Sequence, residues 1–310
     1  MLVRVAIVML NTYREAVRAK VLHGLFALAL VTAGYCIAVG QFASGSAARV
    51  LSNLGSASIA LYGVFVAIVL SATALHREIE LKTLFPILAR PIARWEYVLG
   101  KYLGTVSTLA VFVLGNAAVF LCALAASGPT PLWKPVLAAL ISLALSALLS
   151  WRWRALRTFS PALVAASLVV AGALLCEHSP DDRRVLLGSA ALTILEVAVV
   201  AGVAMLFSAF SSPFLTAVFT LGVFIVGRSA GTLAALPPRL FGEAIHDLGA
   251  GLSRVVPNLM LYVPERPLLT GEGLAAGPAA YIGLAAAQAL GWAALLLALA
   301  CLIFQRRDLT

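Results

Sequence analysis

The chain has 310 residues, of which 62% are hydrophobic and only 11% are charged, and its mean hydropathy is +1.01. Soluble domains carry about 25% charged residues, so this composition excludes a soluble globular protein and indicates an all-α polytopic membrane protein. The net charge of +9 fits basic residues retained in cytoplasmic loops better than nucleic-acid binding, because no soluble domain remains to bind nucleic acid.

The first 20 residues carry apolar and basic side chains in helical spacing. Val5, Val8 and Met9 recur among the apolar positions, and Arg14 and Arg18 lie to one side of them. This pattern predicts an amphipathic helix over residues 1–20 that lies in the membrane interface, and a solvated N-terminal helix is the alternative. No small-residue cleavage site follows, so the first long span is expected to stay in the protein.

Eight apolar segments are candidate membrane spans, since about 20 apolar residues cross the hydrocarbon. They are residues 21–40, 56–75, 104–126, 134–150, 158–176, 185–208, 213–229 and 279–304. Residues 134–150 and 213–229 are the weakest candidates, and whether they cross fully stays open. A cytoplasmic N-terminus places most of the 22 Lys and Arg residues on the cytoplasmic side, as the positive-inside rule requires. Both termini are therefore expected in the cytoplasm.

Residues 1–310 are predicted to form a single transmembrane domain. Residues 230–278, with Arg228 at their border, form the one long external segment and are rich in proline and glycine. Short amphipathic or re-entrant helices are expected there. The turn at 151–157 contains Arg152, Arg154 and Arg157 and is predicted to be cytoplasmic.

The sequence offers no motif for catalysis. A phosphate-binding loop of the form GxxxxGK[ST] does not occur, and its nearest fragment, around Gly100 and Lys101, lacks the first glycine and the Ser/Thr. No HExxH or GxSxG occurs, and the four histidines and four cysteines are scattered. We therefore expect no enzyme activity, catalytic residue, cofactor site or metal site in this chain.

One carboxylate, Glu196, falls near the middle of the predicted span 185–208. A charged side chain at this depth is costly, so it should face protein, water or a partner. A role in helix packing and a direct role in transport both stay open.

The longest charged segment, residues 76–103, lies between the second and third predicted spans. Its pattern predicts a short helix with acidic residues in the first turn, then a break at two prolines. A second helix is predicted to begin near Ala93 and to continue into the next span. This arrangement favours a docking element for a soluble partner, and a solvated charged loop is the alternative.

Three blocks of this segment resemble the signature of ABC-2 type transporter permeases: REIE followed by Thr83 and Leu84, then LARPIAR, then WEYVLGKYLG. The N-terminal NTYREAVRAKVLHGLFALAL and the later LFSAFSSPFLTAVFTLGVFIVG are also similar to that family. The likeness covers most of the chain except residues 134–176. Since the family has a core of six spans, the resemblance implies that residues 134–176 are an additional hairpin.

The resemblance implies the membrane subunit of an ATP-driven transporter, an exporter, coupled to a separate cytoplasmic ABC ATPase that binds ATP and Mg. It further implies a dimer with a second copy or a related permease, surrounded by membrane lipid in the bacterial cytoplasmic (inner) membrane. The alternative is a scaffold or mechanotransmission subunit that is driven by the same kind of ATPase and moves no solute.

The resemblance also assigns ATPase-coupling residues to the charged segment. The docking residues of the coupling helix would be Arg77, Glu78, Glu80, Thr83 and Leu84. The residues that shape the return into the third span would be Arg90, Pro91, Arg94, Glu96, Gly100 and Lys101.

Overall fold

The computed structural model describes residues 2–42, 46–74, 93–235, 247, 249, 251–252, 255–271 and 277–306. All regular structure within these residues is helical. The α-helices are α1 (Leu2–Val17), α2 (Lys20–Phe42), α3 (Ala47–Ala74), α4 (Arg94–Ser127), α5 (Trp133–Arg152), α6 (Ser160–Leu175), α7 (Pro180–Ser208), α8 (Pro213–Arg228), α9 (Ala230–Ala234), α10 (Arg266–Thr270) and α11 (Gly277–Arg306). Two short 3-10 helices occupy Arg154–Phe159 and Leu259–Tyr262.

Seven of the described helices are long and apolar enough to cross a membrane, judged by length and composition alone. They are α2, α3, α4, α5, α6 with the turn before it, α7 and α11. Helix α8, on the predicted span 213–229, has only 16 residues and is about 24 Å long. The predicted class, an all-helical polytopic membrane protein, is therefore confirmed. Of the eight predicted spans, seven lie on long helices among the described residues, and 213–229, one of the two weakest candidates, lies on a short helix.

Several helices extend beyond the predicted spans. Helix α3 begins at Ala47 rather than at 56, and α7 begins at Pro180 rather than at 185. Hydropathy marks only the apolar part of a helix, whereas the backbone stays helical through the polar turns that continue outside the hydrocarbon. The predicted helix start near Ala93 is confirmed, because α4 runs without a break from Arg94 to Ser127.

Helices α3, α4 and α7 form the centre of the bundle and pack on one another. Glycines bring their backbones close together: a Cβ at Gly63 would lie 3.1 Å from Thr193, and one at Gly55 would lie 3.0 Å from Phe120. Small residues at such crossings are the usual basis of helix packing in membranes. Helix α2 packs on α3 and α4, and both α8 and α11 pack on α7.

The hairpin of α5 and α6 is attached to the bundle mainly through α6, which packs on α4. Gly172 allows the close approach, since a Cβ there would lie 2.9 Å from Leu121. Just after α6, Cys176 is fully buried and donates its Sγ–H to the Leu121 carbonyl oxygen at 3.2 Å.

The predicted orientation can be tested at the two ends of this hairpin. A cysteine replacing the exposed Glu177 is expected to react with a membrane-impermeant maleimide added outside intact cells, whereas one replacing the exposed Arg154 is expected to react only after permeabilisation. The neighbouring Cys176 is fully buried, so the reagent is expected not to reach it. Labelling at position 154 from outside would contradict the predicted topology.

Candidate functional site

A buried ion pair joins α7 and α8 in the interior of the bundle. The Glu196 side chain is fully buried, and Arg228 donates its Nε to Oε1 of Glu196 at 2.8 Å and its Nη2 to Oε2 at 3.1 Å. The Arg228 guanidinium also lies over the Phe224 ring, 5.4 Å from the centroid. Two parallel hydrogen bonds make this the strongest form of arginine–carboxylate contact. Each charge thereby neutralises the other in a place where either alone would be costly.

The two helices are antiparallel and are joined by a short turn, so positions equally far from the turn lie at similar depth. Glu196 lies about 18 Å before the end of α7, and Arg228 lies about 22 Å after the start of α8. The long arginine side chain bridges the difference. Composition alone places Arg228 at the border of the external segment, but counting back from the turn would have paired it with Glu196.

A cavity of about 710 Å³ opens beside this pair, between α3, α7, α8 and residues 260–269. Its lining is mostly apolar, and Arg228, whose side chain is 25% exposed, reaches it. The polar lining residues are Asn53, Ser56, Ser189, Thr193, Arg228, Tyr262 and Arg266. Apolar walls with a few converging polar groups are typical of a ligand-binding cavity.

A second polar cluster closes the other end of the cavity. Arg266 donates Nη2 to Oδ1 of Asp182 at 2.5 Å, and the Ser52 hydroxyl donates to the same oxygen at 2.7 Å. Arg266 also donates Nη1 to Oδ1 of Asn53 at 3.1 Å. Asp182 lies in the first turn of α7, where the helix dipole favours a carboxylate. The cluster ties α10 to the second turn of α3 and the first turn of α7.

The chain returns into the bundle after α8 and packs on the last turn of that helix. A Cβ at Gly227 would lie 2.7 Å from the Pro257 carbonyl oxygen, so only glycine permits this contact. Leu259 is buried, and Tyr281 of α11 donates its hydroxyl to the Leu261 carbonyl oxygen at 2.6 Å. This segment of the region predicted to be external therefore lines the cavity. Its location on the external side of the membrane stays a prediction.

At the opposite end of α3, the predicted coupling segment joins α4. Its residues 76–92, which include Arg77, Glu78, Glu80, Thr83, Leu84, Arg90 and Pro91, lie outside the described residues, so their assignment stays a prediction. Arg94, Glu96, Gly100 and Lys101 are described and lie on the first turns of α4.

Arg94 and Glu96 fix the start of α4 to neighbouring helices. Arg94 donates Nη1 to the carbonyl oxygens of Phe304 at 3.2 Å and Gln305 at 2.9 Å, at the end of α11. The buried Glu96 accepts a hydrogen bond from the Ala93 N–H at 3.0 Å, and its Oε2 lies 3.9 Å from Nη1 of Arg4. These contacts stabilise the point at which the coupling segment enters the bundle.

Gly100 and Gly104 form a groove on α4 that receives α1. A Cβ at Gly100 would lie 2.7 Å from Cβ of Val8, and one at Gly104 would lie 2.6 Å from both the Met9 carbonyl oxygen and Cβ of Thr12. Two glycines four residues apart permit such close helix crossing. The two glycines of the GKYLG block therefore serve the packing of α1 on α4 in this chain. Lys101 is buried within it, and its Nζ lies 5.9 Å from the centroid of the Tyr97 ring.

Replacing Gly104 with valine is expected to displace α1 and to lower the free energy of unfolding by about 1–3 kcal/mol, the usual cost of overpacking. Gly34→Val is the matched control, because Gly34 is also helical but has open space around its Cβ position. Thermal unfolding of both variants in the same detergent measures the difference. Equal stability of the two variants would contradict the tight crossing.

The described residues contain no group of three or more His, Cys, Asp or Glu side chains placed to hold a metal ion. Comparison with known proteins gives one family match: a family model described as "ABC-2 family transporter protein" matches residues 6–309. The matched range includes the hairpin α5–α6, both polar clusters and the coupling segment. No curated protein matches the chain.

Proposed function

The chain belongs to the ABC-2 transporter family, and from this premise we propose that it is the membrane subunit of an exporter driven by a separate cytoplasmic ABC ATPase. The family match over residues 6–309 is the observation that carries this proposal. ATP and Mg would bind to the partner ATPase, and the chain would pair with a second copy or a related permease in the bacterial cytoplasmic membrane.

The position of the coupling segment supports the transmission of movement into the bundle. Residues 75–92 connect α3 to α4, and both of these helices pack on α7, which carries Glu196. A shift of this connection would therefore act on two of the three central helices. The Glu196–Arg228 pair lies on α7 and α8, and its cavity is bounded by α3, α7 and α8 toward the end where Asp182 binds Arg266.

The cavity beside Arg228 favours solute transport over the scaffold alternative. A scaffold predicts a dry, closed interior, whereas a solute path needs a cavity lined by polar or small residues. The observed cavity of about 710 Å³ carries hydroxyl groups and two arginines. We assign Arg228 to this path, since its guanidinium is held by Glu196 on one side and is 25% exposed.

Reconstitution in liposomes with a candidate partner ABC ATPase tests the coupling. The chain alone is expected to show no ATP hydrolysis, and the complex is expected to hydrolyse ATP at a rate that differs from that of the ATPase alone. An ATPase that neither binds the chain nor changes its rate in its presence would overturn the proposal.

Cysteine accessibility in the same complex separates transport from the scaffold alternative. A cysteine replacing Thr193, which lines the cavity, is expected to change its maleimide reaction rate severalfold between the nucleotide-free and vanadate-trapped states. Leu192→Cys is the matched control, because Leu192 is a fully buried neighbour outside the cavity lining and should stay unreactive. An unchanged rate at position 193 would favour the scaffold.

A further inference from the structure

A second cavity, of about 660 Å³, lies on the other side of the bundle, between α2, α4 and the hairpin α5–α6. Helices α2 and α6 both pack on α4 but make few direct contacts with each other, and the cleft between them forms the cavity. Its walls are almost entirely apolar and include Phe26, Phe112 and Val164. Cavities of about 150 Å³ with apolar walls can stay empty, but a cleft several times larger that faces hydrocarbon should be filled by an apolar chain.

The mouth of this cleft carries basic side chains. Arg157, on the 3-10 helix before α6, and His23, on α2, both line it. Arg157 is exposed, and its guanidinium has no partner among the described residues. The Ser150 hydroxyl is buried at the same mouth, and it too lacks a partner in the described part of the chain. Two unpartnered donors at the rim of an apolar cleft fit a ligand with a polar head and an apolar tail.

The mouth lies at the end of the molecule where α1 crosses α4. Arg14 of α1 donates its Nε to the Thr158 hydroxyl at 3.1 Å, and the Tyr13 ring stacks on Phe159 at 5.6 Å. Trp151 and Trp153 are exposed on the same turn. Because exposed tryptophans concentrate at the headgroup level of a bilayer, they indicate that Arg157 lies at the height of the lipid phosphates.

Charge at this end also favours an anionic headgroup. The basic residues from the last turn of α1 to the start of α2, and on the turn around Arg157, are Arg14, Arg18, Lys20, Arg152, Arg154 and Arg157. Glu15 is the acidic residue on these same elements. Basic clusters between transmembrane helices on the cytoplasmic side are suited to anionic lipid headgroups.

We propose that the cleft between α2, α4 and the α5–α6 hairpin is a binding site for one anionic phospholipid, with an acyl chain between the helices and the phosphate on Arg157. The cleft follows α4 from Thr108 to Gly115, about 10 Å, which is enough for a substantial part of one chain. This site is separate from the Glu196–Arg228 cavity and does not depend on the proposed transport function. It gives the α5–α6 hairpin a role, which is to form the outer wall of a lipid site.

The test is native mass spectrometry of the purified full-length chain with phosphatidylglycerol or phosphatidylcholine of identical acyl chains. Phosphatidylglycerol is expected to bind with one tight site, and Arg157→Ala is expected to weaken it about fivefold to tenfold, the usual contribution of one basic side chain to anionic lipid binding. Arg154→Ala is the matched control, because Arg154 is exposed on the same turn but does not line the cleft.

A cavity-filling variant tests the acyl-chain half of the proposal. Ala147→Trp, which places a large side chain in the cleft, is expected to abolish the tight site, whereas Ala144→Trp on the same exposed helix but outside the lining should not. Circular dichroism and size-exclusion profiles matching those of the unchanged chain confirm folding, and the Arg157 result stands independently.

Three outcomes would overturn the proposal. Equal binding of the two lipids, or an equal loss for Arg154→Ala and Arg157→Ala, would show a diffuse basic surface. Displacement of phosphatidylglycerol by an equal concentration of soluble glycerol phosphate would show an anion site without an acyl chain.

Discussion

Replacing Arg228 with methionine is expected to lower the free energy of unfolding by about 3–5 kcal/mol, because Glu196 is then left without its partner in the interior of the bundle. Methionine approximates the volume of the arginine stem, so the lost charge contact dominates over lost packing. The Glu196 side chain is fully buried, and each of its two carboxylate oxygens accepts a hydrogen bond from the Arg228 guanidinium. The change is measured by unfolding the protein in a lipid nanodisc and monitoring how well its buried cysteines are protected from a thiol reagent.

The double variant Glu196→Leu with Arg228→Met provides the control. Replacing both members of a buried pair by apolar residues of similar volume is often neutral, whereas removing one member is costly. We therefore expect the double variant to recover most of the stability lost in Arg228→Met. Full stability in the single variant, or a double variant no more stable than the single one, would show that the pair does not balance two buried charges.

The same double variant resolves the two roles that the sequence leaves open for Glu196. If the pair serves only to pack α8 against α7, a folded double variant should still transport. If Arg228 contributes to the solute path, transport should fall sharply while assembly with the ATPase is retained. The cavity that Arg228 shares with Thr193 and Tyr262 leads us to expect the second result.

The sequence predicts the parts of this fold that follow from local chemistry. Apolar runs locate the spanning helices, and the proline break followed by a helical pattern locates the start of α4 near Ala93. The length of α3 was missed, because hydropathy does not register the helical turns that carry Ser52 and Asn53. These turns matter, since they hold Arg266 and Asp182.

Long-range pairing explains most of what remains unpredicted. Glu196 stands out in the sequence because a carboxylate is costly at its depth, but its partner Arg228 can be identified only by counting helix turns back from the connection between α7 and α8. Arg266 and Asp182 lie 84 positions apart, and each is an ordinary polar residue in its own segment. The glycines at 100 and 104 could have been recognised as a small-residue groove, but the helix that fills this groove could not be identified without the structure.

Reversing Glu78 and Glu80 to lysine is expected to weaken ATPase binding about 100-fold or more. Each reversal removes a negative charge that would attract basic groups of the ATPase and puts a positive charge in its place, at a surface that we propose faces the ATPase. Like-charge contacts across an interface cost several kcal/mol. ATPase stimulation in liposomes should be lost together with binding, while the stability of the chain alone should hardly change. Co-purification and ATP turnover of the reconstituted complex measure the effect.

Asp181→Lys is a charge-reversal control for this experiment, with one reversal in place of two. Asp181 is exposed on the first turn of α7, next to Asp182, which contacts Ser52 near the start of α3. It therefore lies at the opposite end of α3 from Ala74, the last described residue before the predicted coupling segment. Its reversal should leave ATPase binding unchanged. Unchanged binding and turnover in the Glu78→Lys, Glu80→Lys variant would remove the coupling assignment. The family membership would stand. The ATPase contact would then have to be sought among other residues at the end of the bundle where α4 begins, starting with α1 and the exposed side of the 151–157 turn.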